Sequence, residues 1–275
     1  MSKGMKIEFT KILMYIFLGL IFIASIYPIY WMLSASTLDN TNIFKKLTPG
    51  TNLFENFRIL QEAMPIWRIL FNSVFVSGVV TISTVFFGAL AGYAFAKFNF
   101  KGREPLFFVV LLTMMLPIQI TLVPLFIIMT NIGWTDSYLA LIVPFMVTPF
   151  SVFLMRQQML SFPTELIESA RIDGSSEINT FIKIVLPTMK SACAAVAIIT
   201  FMQQWGNFIY HLVVINSSEM YTVPLMLSMM VQPGHVIHYG AVMLGAIIGL
   251  IPMIILFLFF QKHFVSGALS GSVKG

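Results

Sequence analysis

Charge is what this sequence has least of. Asp, Glu, Lys and Arg make up 10% of its 275 residues, against about 25% in an ordinary soluble domain. Cysteine is nearly absent as well, and the single Cys193, set in an apolar run, excludes a disulfide framework within the chain. No Gly-x-x-x-x-Gly-Lys-Ser/Thr loop is present to cradle ATP phosphates. Nor is there a basic patch interleaved with aromatics of the kind that binds nucleic acid. Hydrophobic residues fill the rest, at 58% with a mean hydropathy of +0.89, and this is the composition of a membrane protein.

Crossing the hydrocarbon core takes about 20 apolar residues at a rise of about 1.5 Å each. Six runs meet or approach this length: 12–33, 69–96, 106–130, 138–155, 191–215 and 240–260. None contains Asp, Glu, Lys or Arg. The expected fold is therefore an all-α integral membrane protein of six transmembrane helices. Alternate connections carry twelve and four Lys or Arg residues, and the bias of basic residues toward the cytoplasm then places both termini inside the cell. The basic start and its apolar run resemble a secretory signal, but the run is longer than a signal core, so an uncleaved first span is expected.

We expect three regions. Residues 1–68 hold an N-terminal tail, the first span and an external loop whose Pro49-Gly50 turn and mixed polar and aromatic text suit a small external cap. Residues 69–262 form the transmembrane domain, and 263–275 a cytoplasmic tail. Gly88 and Gly92 in the second span form a small-xxx-small pattern, which fits packing within the chain or a subunit contact. Prolines 117, 124, 144, 149 and 252 lie inside apolar runs, where each removes a backbone donor and kinks a helix.

Ion-coupled carriers place ionisable residues inside the membrane. These spans have none, and with no phosphate-binding loop the energy for any transport must come from another, cytoplasmic subunit. The segment "ELIESARIDGSSEINTFIKIVLP" (165–187), between the fourth and fifth spans, suits a docking element. Pro163 and Glu165 favour a helix start, and Leu166, Ile167 and Ala170 form an apolar face. Arg171 and Asp173 close the helix, and Gly174 is suited to the left-handed residue that ends it. Ser175 or Ser176 is placed to cap a second helix, with Ile178, Phe181, Ile182 and Val185 at amphipathic spacing. On pattern alone the segment is equally an interfacial connector.

Glu168, Ser169, Ala170, Gly174, Ile184, Leu186 and Pro187 keep the spacing of the E-A-A-x3-G-x9-I-x-L-P signature. By these residues the chain resembles the type I ABC importer permeases, with Ser169 for one Ala as the only departure. "TLDNTNIF", "AGYAFAKFNFKGR", "MMLPIQITLVPLF", "YTVPLMLS" and "FFQKHFVSGALSGSVKG" extend the resemblance, which is to the smaller six-span subunit of the maltose-type carbohydrate-uptake permeases. It is nearest to permeases for arabinose oligosaccharides or lactose. The resemblance implies a bacterial plasma-membrane protein paired with a second homologous permease. It also implies a dimer of cytoplasmic ATPases that bind ATP and Mg2+, and an external sugar-binding protein. The chain itself would carry no cofactor and no enzymatic activity, and residues 161–187 would be the ATPase-coupling region, with Glu168 meeting basic groups of the ATPase, Leu166, Ile167 and Ala170 filling its groove and Gly174 fixing the bend. The runner-up readings are a polyol, peptide or amino-acid cargo, or a stand-alone secondary carrier.

Sugar recognition uses convergent amides and hydroxyls on an apolar wall. In "FMQQWGNFIYH", Gln203, Asn207 and Tyr210 fall on one face of a continuous helix, with Gln204 and His211 on a neighbouring one. Such a face lines a sugar path or bonds the partner permease; Gln119 in the third span raises the same choice. His211, His235 and His238 lack the spacing of a demanding metal motif and are read as external loop residues.

Overall fold

The computed structural model describes residues 3–232 and 236–270, with side chains over 11–232 and 236–259; His235 and the last five residues of the expected tail lie outside the described residues. Every regular element among them is helical. In chain order these are α1 (Lys3–Ala35), α2 (Leu53–Ala63), α3 (Ile66–Lys97), α4 (Arg103–Met114), α5 (Ile118–Asn131), α6 (Tyr138–Ile142), α7 (Pro149–Leu160), α8 (Thr164–Ile172) and α9 (Glu177–Thr180). A π-turn over Phe181–Val185 follows, then α10 (Leu186–Thr188), α11 (Lys190–Trp205), α12 (Ile209–Val214), α13 (Val223–Met229) and α14 (Tyr239–Ser270).

Among the described residues four helical stretches are long and apolar enough to cross a membrane: Lys11–Ala35, Ile66–Lys97, Tyr138–Leu160 and Tyr239–Phe259. Two bent pairs bring the number to six when each is one span: α4 with α5, bent by 102°, and Glu177–Thr188 with α11, bent by 83°. The third and fifth spans are thus not the straight helices the apolar runs suggest. In the third, Pro117 lacks an N–H and takes an extended conformation (φ −61°, ψ 137°), so α4 stops and α5 restarts beyond it. In the fifth, α11 ends at Trp205, and the chain does not return to helix until Ile209.

The chain divides into two compact units. One comprises the residues up to Ile66 together with Leu227–Leu250, and the other Trp67–Met226 together with the chain from Ile251 onward. Leu227 to Leu250 are therefore assigned to the first unit, whereas the expected 69–262 domain grouped them with the second. The expected boundary at 263 falls inside α14, which continues to Ser270.

In the first unit the cap is built by α2 and the loop before it. Ala35, Leu38 and Ile43 are buried, with Trp31, Tyr239 and Met243 against them. The buried Asn56 amide donates to Ser36 O (2.8 Å) and Leu38 O (2.9 Å), which closes the loop over α2. Along α1, by contrast, apolar side chains stand exposed, Phe17 and Phe22 among them.

In the second unit α3 packs closely on α7. A Cβ at Gly88 would lie 2.4 Å from Ser151 Oγ, and one at Gly92 would lie 2.6 Å from Met155 Cβ. The small-residue pattern therefore serves packing within the chain. The fourth span shows how broken helices are repaired. Proline at 144 leaves the Ala140 carbonyl without its helical donor, and proline at 149 does the same to Phe145. Tyr210 OH donates to Ala140 O (2.9 Å) and Thr84 Oγ1 to Phe145 O (3.0 Å). In hydrocarbon no water is present to do this, so side chains must.

Candidate functional site

The segment between α7 and α11 is a helix, a sharp turn and a second helical arm. Pro163 sits just before α8 in extended conformation, so the helix proper starts at Thr164. At its end Ser175 N donates to Ala170 O (2.9 Å) and Gly174 N to Arg171 O (3.0 Å). Gly174 has φ +79°. This is the paired bonding of a Schellman cap, which requires a left-handed residue where glycine stands. Ser176, not Ser175, caps the next arm, its Oγ accepting from Asn179 N (3.4 Å). Arg171 Nε donates to Glu177 across the turn, and this bond holds the carboxyl below its usual range.

The second arm departs from the expected continuous α-helix. Leu186 N donates to Phe181 O, one residue further than in an α-helix, and the extra residue shifts the phase of the side chains. Phe181 and Val185 are buried, whereas Ile178 and Ile182, expected on the same stripe, are exposed.

The two helix breaks meet elsewhere in this unit. Ile118 and Gln119 at the start of α5, with Gly206, Asn207 and Ile209 at the break of the fifth span, line a cleft of ≈ 320 Å3. Irregular backbone is tolerated at membrane depth where it lines a cavity, and the volume is that of a small-ligand site. Of the proposed path residues, the cleft brings Gln119 and Asn207 together. Tyr210 forms part of its wall, but its side chain is buried, with the hydroxyl committed to the Ala140 carbonyl. Gln203 is exposed away from the cleft lining, because the break at Gly206 cancels the helical alignment of 203, 207 and 210. Gln204 is buried, 3.5 Å from the Asn207 amide. His211 is no loop residue: it is buried in α12 with Nδ1 2.9 Å from Thr222 Oγ1. Among the described residues no group of three His, Cys, Asp or Glu side chains is placed to hold a metal ion.

The profile of the "Binding-protein-dependent transport system inner membrane component" family matches residues 84–269, from the middle of α3 to the end of α14. The chain belongs to this family. It is similar to the "Arabinooligosaccharides transport system permease protein AraQ" of Halalkalibacterium halodurans, at 37% identity over 94% of this chain and 95% of the relative. It is also similar to the "Lactose transport system permease protein LacG" of Rhizobium radiobacter, at 36% identity over the whole of both chains. A solved chain described as a bacterial ABC transporter "involved in the import of the acidic polysaccharide alginate" shares the fold, with a TM-score of 0.82 and 21% identity over 96% of this chain and 99% of that one.

In this permease α8 exposes a face other than the apolar one expected to dock. Ile167 and Ala170 are 1% and 6% exposed, packed into this chain's own core, so they cannot fill a partner's groove. Ile167 shares that core with Met155, Met159, Phe162, Phe181 and Val185. Ile184 and Leu186 of the signature pack against the same core, and Pro187 follows at the surface. The exposed side of α8 carries Thr164, Glu165, Leu166, Glu168, Ser169, Arg171 and Ile172, and the exposed Asp173 follows at its end. Ile172, at 86% exposure, was not among the expected contacts. Its signal was legible: Glu165, Glu168, Ser169 and Ile172 recur at intervals of three and four residues, opposite Ile167 and Ala170.

Proposed function

We propose that this permease is the smaller, six-span subunit of an importer for a sugar or oligosaccharide, moving its cargo inward by ATP-driven alternating access. Its partners would be a second homologous permease, a dimer of cytoplasmic ATPases that hold ATP and Mg2+, and an external sugar-binding protein. The observation that carries the reading is the exposed, charged and apolar face of α8, ended by the rigid Gly174 turn and backed by a buried face. A helix presented in this way is a docking element, and charge-free spans leave the driving force to whatever docks there. The asymmetry of Lys and Arg supports a cytoplasmic position for this turn and for both termini, in a bacterial plasma membrane. The relatives that carry arabinose oligosaccharides and lactose, together with the amides of Gln119 and Asn207 on an apolar cleft, support a carbohydrate cargo.

The test uses the complete complex in proteoliposomes. Leu166→Asp and Glu168→Arg change only the exposed face, so insertion should be normal while the ATPase subunits dissociate on purification and uptake is lost. Full retention of the ATPases by both variants would sink the docking assignment.

A further inference from the structure

The C-terminal end of α3 is fastened to both arms of the coupling turn, although α3 does not adjoin the turn in sequence. On the entering arm Lys97 Nζ donates to Phe162 O (2.6 Å) and to Thr164 Oγ1 (3.2 Å). On the leaving arm Tyr93 OH donates to Glu177 Oε2 (3.3 Å), and the other oxygen of that carboxylate receives Arg171 Nε. The Arg171 guanidinium lies 5.8 Å from the centre of the Phe98 ring, just beyond α3. Beneath these polar ties the Tyr93 and Phe181 rings are 5.4 Å apart, in the core that also holds Ile167 and Ala89.

The turn does not need α3 in order to close. Gly174 and Ser176 already satisfy its backbone. What the ties to Tyr93 and Lys97 add is a connection between the turn and a span other than the two it links.

We propose that Tyr93, Lys97, Arg171 and Glu177 form a latch that makes α3 the span moved by the coupling turn, on the reading that α8 docks an ATPase. They are positioning residues, outside the lining of the cleft that holds Gln119 and Asn207. A displacement imposed on α8 then reaches α3 directly, since Lys97 holds the start of α8 and Tyr93, through Glu177, the arm beyond it. With the latch open, the turn follows the ATPase while α3 lags, and hydrolysis runs without import.

The complete importer in proteoliposomes tests this through retention of ATPase subunits, hydrolysis rate and cargo moved per ATP. Glu177→Leu removes the acceptor of the Tyr93 hydroxyl, Tyr93→Phe keeps the ring and removes the hydroxyl, and Lys97→Met keeps the stem and removes the donor. Each should retain the ATPases and hydrolyse ATP, with cargo moved per ATP falling about fivefold, the scale open to an exposed ion pair. Lys97→Arg, which keeps a cationic donor facing Phe162 O and Thr164 Oγ1, should keep most of the coupling that Lys97→Met loses, a rescue by the conservative variant that packing alone would not give. Unchanged cargo per ATP in all three single variants overturns the latch, and leaves docking intact if Leu166→Asp still strips the ATPases. Loss of the ATPases from the latch variants would make these residues docking contacts and also overturns it. Retention by both Leu166→Asp and Glu168→Arg overturns the docking reading, and the latch with it.

Discussion

Gly174 allows the proposed coupling turn to be tested by backbone conformation alone. Its φ is +79°, and a Cβ built there meets nothing within 4 Å, so substitution brings strain without a clash inside this chain. An L-residue in the left-handed region costs about 1–2 kcal/mol, a factor of about 5–30 in the fraction of correctly formed turn. A β-branched residue costs more, whereas asparagine visits the region readily. Uptake in proteoliposomes should therefore rank Gly174 and Gly174→Asn together, then Gly174→Ala, with Gly174→Val lowest although it still inserts. Hydrogen exchange at the Gly174 and Ser175 amides, which donate to Arg171 O and Ala170 O, should accelerate in the same order. Normal uptake by Gly174→Val would refute the reasoning. Asparagine as damaging as valine would refute it too, by showing that bulk and not backbone conformation decides.

Two further predictions follow from polar groups elsewhere in this unit. Tyr210→Phe and Thr84→Val each leave a proline-orphaned carbonyl unpaired, at Ala140 and Phe145. A buried carbonyl left this way costs about 1–3 kcal/mol, although bonds inside membranes average nearer about 0.6. The midpoint of thermal unfolding in detergent should fall in both variants without a change in cargo affinity; weakened affinity with an unchanged midpoint would return Tyr210 to the sugar path. Asp136 Oδ1 accepts from Asn216 N, Ser217 N and Ser217 Oγ, each at 3.0 Å. Burial would raise this carboxyl, but the bonds from Ser217 and Asn216 outweigh it and hold it below its ordinary value. A depressed carboxyl stabilises fully above its unfolded pKa of about 3.9 and loses that contribution as pH falls through the lower folded value. Protection of the Asn216 and Ser217 amides should therefore hold down to about pH 4 and drop below it, with Asp136→Asn lacking the step. A change centred between pH 5 and 7 would contradict the assignment.

The turn at Gly174 was legible because its signals are local. Glycine at 174 and serine at 176 act on backbone within a few residues, and their roles follow from covalent geometry. The face of α8 was misread for a related reason. Apolar spacing identifies a buried face but not what buries it, and here Ile167 and Ala170 are covered by the chain's own Met155, Met159 and Phe181 region. The helical alignment of Gln203, Asn207 and Tyr210 failed because it assumed one unbroken helix through Gly206. No proline marks that break, and a single glycine inside an apolar run is common in membrane helices.

Composition and local pattern by themselves determined that the chain is a helical membrane protein without charge in its long apolar runs, where its basic residues collect, and which short segment turns on a left-handed glycine. These follow from properties of single residues and of neighbours in sequence: transfer free energy, backbone conformation and capping. Only the tertiary structure decided that Gly88 and Gly92 serve packing within the chain and that Tyr210 belongs to a carbonyl of α6 and not to the cleft wall's polar groups. The same holds for the join between α3 and both arms of the coupling turn. Each of these is a contact between residues 60 or more positions apart, and which of many possible partners such a residue meets is settled by packing of whole helices, which no local pattern encodes.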